Sequence, residues 1–406
     1  MTDPATPAKA LPPLAGRRVL DLSRVLAGPW STMVLADLGA EVIKVEHPRG
    51  GDDTRHWGPP YAGGESAYYL CANRNKRSIA IDLATADGQA IVRDLAARAD
   101  VLVENYKLGG LDKYGLDYAS LAALFPRLIY CSVSGYGRVS PIADRAGYDY
   151  VIQAEAGLMA VTGQADGEPV KVGVAVADLF TGMAAAQAIL AAIIALDRDG
   201  IGQHIDMALY DCQLAMMANV ASAALMTGRE PARFGNGHPT IVPYESFATS
   251  DGKVVIAVGN DGQFAALCRL LDRSDLAADD RFARNSGRVT NRDALLAILK
   301  PLIGARTTAT WLTGLRSVGV PAGEVRGVGA ALAAPETTAR DIVRRVPHPT
   351  AGEVGLVASP LRLGRTPVVE LLAPPLLGAD SEAILAELGY DRDRIASLLT
   401  AGVVSA

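Results

Sequence analysis

The chain has few of the residues that carry metal or disulfide chemistry. Its 406 residues include only four cysteines and five histidines, and aromatic residues make up 5%. The cysteines are far apart and form no CxxC pair, so neither a disulfide framework nor a zinc site is expected. The histidines lack HExxH or a similar metal-ligand spacing. We therefore expect a protein without a bound metal.

The chain also has no surplus of positive charge. It carries 39 Lys and Arg residues against 44 Asp and Glu residues, which gives a formal net charge of −5. A nucleic-acid-binding face needs a dense set of cations, so nucleic acid is not expected as a partner. Any anionic ligand must be held by a local group of cations.

Long apolar runs are scarce as well. The first 16 residues, MTDPATPAKALPPLAG, contain no apolar core segment, so no secretory signal is expected, and residues 1–14 are predicted to form a disordered tail. The most apolar run, from Met183 to Leu196, is shorter than the roughly 20 residues of a membrane span. It is interpreted as a buried helix. We expect a cytoplasmic protein that does not bind a membrane.

The N-terminal part of the chain alternates between strand and helix patterns. VLDLS predicts a strand, Pro29 suits the first position of the following helix, and Gly39 is predicted to end that helix before the strand AEVIKVE. RSIAIDL, VLVEN and LIYCSVSGYG predict further strands, and DGQAIVRDLAARA predicts a helix. This order is typical of βαβ units and a parallel sheet. GxGxxG is absent, so a dinucleotide site is not supported.

The pattern changes near residue 225, which predicts a second domain. HIDMALYDCQLAMMANVASAALM predicts a strand that leads into a long helix, and the chain then becomes loop-rich, with a turn at GVPAGEV. A length of 406 residues also favours two domains. We predict an α/β fold. A large domain with a Rossmann-like parallel sheet takes residues 1–224 and 329–406, and a smaller α+β domain takes 225–328.

One acidic residue, Asp178, stands where the small-residue run GVAVA meets a long helical pattern. Its simplest interpretation is a helix N-cap, which is worth ~1 kcal/mol. The alternative is a nucleophile, because the small residues leave room for a ligand and a carboxylate of ordinary pKa is ionised at neutral pH. The two roles are compatible, since one oxygen can cap while the other reacts.

The loop VGNDGQF is a candidate oxyanion site. Gly259 and Gly262 allow positive φ angles, so that successive amides could face a developing negative charge. A plain turn after the strand VVIAV is the alternative. SGYG at residues 134–137 does not complete GxSxG, so a serine hydrolase is not favoured.

A set of cations follows the predicted strands of the large domain and could hold phosphate groups, although each of them could equally be solvated surface charge. The set consists of Lys44, Arg55, Arg74, Lys76, Arg77, Lys107 and Lys113.

Together these segments resemble the class III coenzyme A transferases, the CaiB/BaiF family of formyl-CoA and carnitine-CoA transferases. The resemblance covers nearly the whole chain, in the family's order. The matching stretches are LDLSRVLAGPWSTMVLADLGAEVIKVEHPRGGDDTR, NRNKRSI, VLVENYKLGGLDKYGL, SGYG, RAGYDYVIQAEAGLM, GVAVADL and GNGHPTIVPYESF. GDDTRHWGPP, RAGYD and HPTIVPY look most like the succinate–hydroxymethylglutarate (glutarate) CoA-transferase branch.

The resemblance implies a transferase with Asp178 as its nucleophile. Asp178 would attack an acyl-CoA thioester, and CoA would pass to an acceptor acid through a mixed anhydride and an aspartyl-CoA thioester. Short dicarboxylic acids are the expected partners. CoA enters as a substrate thioester, and no tightly bound cofactor is expected. The resemblance also implies a homodimer whose subunits are threaded through each other like linked rings.

Site residues are assigned from the cation set and the resemblance together. The loop of Gly259, Asn260, Gly262 and Gln263 takes the place of the family's polyglycine loop. Tyr148 and His238 are placed in the substrate pocket, and Arg55, Arg74 and His238 are candidates to bind a second substrate carboxylate. CoA binding is assigned to Val25, Leu26, Ala27, Lys44, Arg55, Arg77, Asn105, Tyr106, Lys107 and Lys113. Lys107 stands where relatives have Arg, so paired hydrogen bonds to a phosphate are not expected there.

Two alternatives stay open. The family also contains α-methylacyl-CoA racemases, whose relatives show a GHD segment with a proton-transferring His. This chain has Tyr148 at that position, and a phenol with a pKa near 10 is a poor base at neutral pH. The second alternative is a non-catalytic CoA-binding protein that keeps the fold.

Overall fold

The computed structural model describes residues 10–406. Residues 1–9 of the predicted disordered tail lie outside this range. The last residue of that tail is ordered, because Leu14 is buried and its amide donates a 2.9 Å hydrogen bond to the carbonyl of Leu38. The tail prediction is therefore wrong at Leu14.

The chain forms strands, α-helices and two 3₁₀ turns, at Asp53–His56 and Asp112–Tyr114. The strands are β1 Arg18–Asp21, β2 Glu41–Glu46, β3 Tyr61–Ala62, β4 Glu65–Ser66, β5 Lys76–Ile81, β6 Val101–Glu104, β7 Ile129–Ser134, β8 His204–Ala208, β9 Tyr244–Ala248, β10 Lys253–Ala257, β11 Ala322–Glu324, β12 Val343–His348, β13 Gly352–Val357 and β14 Val404–Ser405. The helices are α1 Ala27–Asp37, α2 Ala67–Ala72, α3 Ala86–Ala96, α4 Tyr118–Leu124, α5 Asp149–Glu155, α6 Leu158–Val161, α7 Val176–Asp199, α8 Leu209–Met216, α9 Ala218–Thr227, α10 Asp261–Leu270, α11 Ser274–Ala278, α12 Asn285–Thr290, α13 Arg292–Gly304, α14 Thr308–Ser317, α15 Val328–Leu332, α16 Pro335–Ala339, α17 Ser381–Leu388 and α18 Arg392–Thr400.

These elements divide into two compact units. The first contains Met1–Leu158, Val172–Ser222 and Glu336–Ala406, and the second contains Met159–Lys171 and Ala223–Pro335. The predicted small domain, 225–328, lies inside the second unit, but the sequence placed 159–171 in the large domain. Arg233 explains the difference, because its guanidinium donates hydrogen bonds to the carbonyls of Ala160, Gln164 and Gly167.

A seven-stranded sheet in the order β14-β5-β2-β1-β6-β7-β8 forms the centre of the first unit. All neighbours pair in parallel except β14, which is antiparallel to β5. Alternate strand residues face opposite sides. Val101 and Val103 join a core with α1 and α7, whereas Leu102 joins a second core with α3, α4, α17 and α18. The predicted α/β fold with a mostly parallel sheet is confirmed.

Several element boundaries differ from the predictions. α1 begins at Ala27, so Pro29 is its third residue and not its first. The helix predicted after β8 is two helices, α8 and α9, because Ala218 has a φ of 43° where they meet. Part of the predicted GVPAGEV turn is the strand β11, which pairs antiparallel with β10.

The 24-residue helix α7 is long and apolar enough to cross a membrane. One of its faces is instead buried in the core of the first unit, where Ala185, Ile189 and Ile193 pack with α1 and the sheet. Burial of an aliphatic side chain is worth about 1.5–3 kcal/mol, so this face fixes the helix in place. This packing therefore also holds the first turn of α7 in place.

The second unit has its own core. Its antiparallel sheet, β11-β10-β9, packs against α10, α13 and α14 through buried residues that include Phe247, Phe264 and Trp311. The buried guanidinium of Arg288 donates to the carbonyls of Val242 and Phe282.

Candidate active site

Asp178 is the third residue of α7 and faces a cavity of the first unit. Its side chain is only 9% exposed. Within residues 10–406 its carboxylate has no hydrogen-bond or ion-pair partner. A buried carboxylate without a partner is costly, so such a group in a cavity indicates a functional role.

The helix is capped by a different carboxylate, that of Asp149 at the start of α5. Its Oδ1 atom accepts the amide of Ala177 at 2.8 Å and the amide of Asp178 at 3.3 Å. Its Oδ2 atom accepts from the Gln153 amide group at 2.7 Å. The N-cap interpretation of Asp178 is therefore wrong, and both of its carboxylate oxygens are free to react.

The pKa of Asp178 is far from its ordinary value. Burial, and then the nearby charge of Asp149, raise it from 3.8 to about 7. The sequence-based expectation of a fully ionised carboxylate at neutral pH is wrong for the unliganded protein, in which protonated and ionised forms coexist near pH 7. A less stable carboxylate is also a more basic nucleophile.

A close crossing of two glycines brings Asp149 to this position. A Cβ atom on Gly147 would lie 2.5 Å from the Cα of Gly135, and one on Gly135 would lie 2.6 Å from the Cα of Gly147. Only glycine allows two backbones to approach this closely. The SGYG and RAGYD segments therefore cross without side chains between them, and Tyr148 and Asp149 follow directly.

Many residues assigned from the sequence line the same cavity as Asp178. They are Val25, Leu26, Ala27, Asn105, Tyr106, Lys107 and Tyr148. The ammonium group of Lys107 has no partner among residues 10–406, so it is available to a ligand anion. Two further cations, to which the sequence had assigned no role, also line the cavity. Arg24 pairs with Asp53 and lies over the ring of Tyr106, and Arg145 pairs with Glu155.

Most of the other assigned cations are buried in ion pairs and do not line this cavity. Lys44 contacts Asp52 at 2.9 Å, and Arg55 contacts Glu46 and Glu65, each at 2.8 Å. A cation that is already paired and excluded from solvent cannot take up a phosphate. The CoA-binding assignments of Lys44 and Arg55 are therefore wrong.

Three further cations have local partners as well. Arg77, at the start of β5, pairs with Glu41 and Glu387, away from the carboxyl ends of the strands. It does not line the cavity of Asp178, and its CoA-binding assignment stays a prediction. Arg74 pairs with Asp37, and Lys76 pairs with Asp21. Arg55 and Arg74 are thus excluded as binders of a second substrate carboxylate.

The remaining assigned residues lie elsewhere. Lys113 lies over the ring of Tyr114, 4.6 Å from its centroid, and does not line the cavity. His238 belongs to the second unit, where its Nδ1 accepts the amide of Thr240 at 3.2 Å.

The glycine loop of the second unit is the start of α10. Neither Gly259 nor Gly262 has a positive φ, which corrects the predicted backbone conformation. The amide of Gly259 donates to Gln263 Oε1 at 2.8 Å, and the amide of Gln263 donates to Asn260 Oδ1 at 2.9 Å. These two amides are not free to hold an oxyanion here. The loop is a capped helix start.

Tyr68, on α2, was missed by the sequence analysis. Burial, followed by the negative charge of Asp178, raises its pKa to about 12, so its hydroxyl is protonated at neutral pH. No local pattern signals this, because the link between Tyr68 and Asp178 spans 110 residues of sequence. Nothing in the sequence indicated that Asp149 caps α7, because that contact also forms only in the tertiary structure.

Residues 10–406 contain no group of three or more His, Cys, Asp or Glu side chains that could hold a metal ion.

Comparisons with known proteins point to one family. A sequence model described as CoA-transferase family III matches residues 14–381. The chain is 48% identical to a succinate–glutarate CoA-transferase of Agrobacterium fabrum, over 93% of this chain and 96% of that protein. It is 44% identical to the human succinyl-CoA:glutarate CoA-transferase, over 99% of this chain and 92% of that protein.

A solved structure shows the same fold. The crystal structure of a CaiB/BaiF family protein from Brucella suis superposes with a TM-score of 0.84 at 47% identity, and the alignment covers 93% of this chain and all of that one.

Proposed function

The chain belongs to CoA-transferase family III and is a CoA-transferase, and on that premise we propose that it moves CoA from succinyl-CoA or a similar thioester to a short dicarboxylic acid such as glutarate. The names of the two curated relatives support this choice of substrates. The observation that carries the mechanism is the buried, unpartnered carboxylate of Asp178 in a cavity with Lys107.

We propose that the reaction proceeds through the carboxylate of Asp178. One of its oxygens attacks the thioester carbonyl carbon, the C–S bond breaks, and a mixed anhydride and a CoA thiolate form. The thiolate then attacks the Asp178 carbonyl carbon, which releases the donor acid and leaves an aspartyl-CoA thioester. Burial keeps water away from these activated intermediates.

The acceptor acid completes the cycle by the reverse sequence. Its carboxylate attacks the aspartyl-CoA carbonyl, which expels the thiolate and forms a second mixed anhydride. The thiolate attacks the acyl carbon of the acceptor, which yields the new acyl-CoA and free Asp178. No metal or tightly bound cofactor takes part in these steps.

Cations of the cavity support binding of CoA and of the acids. We assign CoA contacts to Asn105, Tyr106 and Lys107, and we add Arg24, whose guanidinium stacks on Tyr106. Arg145 lines the same cavity and is half-exposed, so we assign it to the second carboxylate of the substrate. Arg can bind a carboxylate with two parallel hydrogen bonds.

We also propose that the protein works as a homodimer of interlocked subunits. The face of α7 opposite to its buried face is apolar and exposed at Phe180, Met183 and Ile194. Several large apolar side chains exposed on one helix face are typical of a subunit interface. A second copy of the chain is the partner that the family resemblance implies.

The test is a screen of carboxylic acids against succinyl-CoA, with new acyl-CoA detected by mass. We expect glutarate or a related dicarboxylate to accept CoA and Asp178→Ala to abolish the transfer. Hydroxylamine added during turnover should trap an adduct on Asp178. Full activity of Asp178→Ala would refute the mechanism.

Two further measurements separate the alternatives. Deuterium exchange at the α-carbon of a 2-methylacyl-CoA, without transfer, would indicate a racemase. Tight CoA binding without turnover of any acid would indicate a non-catalytic binding protein.

A further inference from the structure

We propose that the backbone amides of Leu26, Ala27 and Gly28, at the start of α1, hold the oxyanion that forms when Asp178 attacks the thioester. The inference rests on the proposed function and deepens it, because it identifies the groups that stabilise negative charge in the transfer. Stabilisation of the oxyanion, which the sequence suggested for the glycine loop of the second unit, is thereby assigned to the first unit.

The start of α1 has no cap. Its N-cap residue is Leu26, whose side chain cannot accept a hydrogen bond, and its first turn contains no acidic residue. The third position is Pro29, which has no N–H. Within residues 10–406, the amides of Leu26, Ala27 and Gly28 donate no hydrogen bond. Free amides at a helix start carry a partial positive charge and bind anions.

The amides just before them are all engaged. Ser23 N donates to Asp21 Oδ1 at 2.9 Å and Arg24 N donates to Asn105 Oδ1 at 2.9 Å. Val25 N donates to Asp52 Oδ1 at 3.2 Å. Side-chain oxygens thus accept the backbone amides of this turn as far as Val25, and the next three amides remain without an acceptor among residues 10–406.

The turn is rigid. Val25 has a φ of 72°, which is a costly conformation for a β-branched residue and persists only where the surroundings impose it. The buried ammonium of Lys44 imposes it, since Nζ donates to Ser23 O at 2.8 Å and lies 2.9 Å from Asp52 Oδ2. The side chains of Lys44 and Asp52 are both fully buried. Lys44 is therefore a positioning residue for the amides.

A second, independent observation points to a ligand at this helix start. The buried carboxylate of Asp178 has no partner and lines the same cavity as Leu26 and Ala27. One turn further along α7, a Cβ atom on Gly182 would lie 2.7 Å from the carbonyl oxygen of Ala27. The second turn of α7 is thus in direct contact with the first turn of α1. A carbonyl carbon within reach of Asp178 lies beside the free amides.

The amides act on the charge that each step creates. When the carboxylate oxygen bonds to the thioester carbon, the carbonyl π electrons move to the oxygen, which becomes an anion. The anion collapses when the C–S bond breaks and the thiolate leaves. Each later attack in the cycle passes through the same kind of tetrahedral intermediate, so one set of amides can serve every step.

The test removes one N–H without changing any side chain. Lactic acid in place of alanine at position 27 converts that amide to an ester. The matched control has lactic acid at position 218, because Ala218 also opens a helix and its amide also donates no hydrogen bond within the described residues. We expect kcat of the position-27 ester to fall about 100- to 1000-fold with little change in KM for acyl-CoA, and the control to keep its activity.

The result that would overturn the inference is a position-27 ester with the kcat of the control. An equal loss in both esters, or a loss confined to KM, would also overturn it. The unmodified protein is measured in parallel, because an unmodified protein that transfers no CoA would refute the proposed function and this inference together. Transfer at equal rates by the unmodified protein and by both esters would refute the inference alone.

Discussion

Asp149 and Asp178 meet at the first turn of α7, where the Oδ1 atom of Asp149 accepts the amide of Asp178 at 3.3 Å. The residue that caps the helix is thus also the charge that, after burial, raises the pKa of Asp178. The cap fixes the position of the nucleophile, and its charge keeps that nucleophile basic.

The first prediction concerns the pH dependence of transfer. Asp178 must be ionised to attack, so kcat/KM should rise with pH through about 7. Asp149→Asn keeps an oxygen that can cap the helix but removes the charge, and the rising limb should move to lower pH. It should stay above pH 3.8, because burial is the larger cause of the raised pKa.

Initial rates between about pH 4.5 and 9 check this. Asp211→Asn is the control, because Asp211 is an exposed residue of α8 outside the cavity. An Asp149→Asn profile that coincides with that of the control would contradict a role for the Asp149 charge.

The second prediction concerns stability. A carboxyl whose pKa is raised on folding binds its proton more tightly in the folded state, so the protein loses stability as pH rises from about 4 to above 7. A rise in pKa from 3.8 to about 7 corresponds to at most about 4 kcal/mol. Asp178→Asn removes this charge, so its advantage over the unmodified protein should be small near pH 4 and largest near pH 8.

Urea unfolding at several pH values measures this difference. Asp178→Ala is a less suitable variant for this experiment, because the shorter side chain also leaves a cavity. A constant difference between Asp178→Asn and the unmodified protein across this range would show that the carboxyl has an ordinary pKa.

The third prediction concerns the glycine crossing. In Gly147→Ala the new methyl group would lie 2.5 Å from the Cα of Gly135, so the segment that carries Asp149 must shift. We expect a loss of about 1–3 kcal/mol in unfolding free energy, together with a fall in kcat. Gly355→Ala is the control, because a Cβ atom there has no neighbour within 4 Å. Equal activity and melting temperature in the two variants would refute a constraint at the crossing.

The sequence predicted the elements whose signal is local. VLDLS and AEVIKVE contain strands because apolar runs bounded by Gly and Pro fix the type of an element. Their ends are less well determined, since β1 ends at Asp21 and β2 begins at Glu41. Asp178 stood out because a lone acid within an apolar, small-residue segment is visible in one window of sequence. Tyr148, assigned to the substrate pocket, and Lys107, assigned to CoA binding, both line its cavity, and their roles stay predictions.

The errors about the cations and about the cap of α7 share one physical origin. A buried cation and a solvated one look alike in sequence, since what separates them is a partner that folding supplies. Lys44 forms an ion pair with Asp52 and a hydrogen bond with the carbonyl of Ser23, and Arg55 forms ion pairs with Glu46 and Glu65. The cap of α7 comes from Asp149, 29 residues upstream of Asp178. Contacts of this range cannot be read from periodicity.

The last prediction concerns the proposed dimer. Ile194 on α7 is 70% exposed and lies on the same apolar face as Phe180 and Met183. Ile194→Lys should place a charge in the interface, where its desolvation is costly, and shift the protein towards monomers on light scattering. Ile201→Lys is the matched control, since Ile201 is 66% exposed but lies beyond the end of α7. A dimer that survives Ile194→Lys unchanged would show that this face is not the interface, and a monomeric unmodified protein would exclude the interlocked assembly.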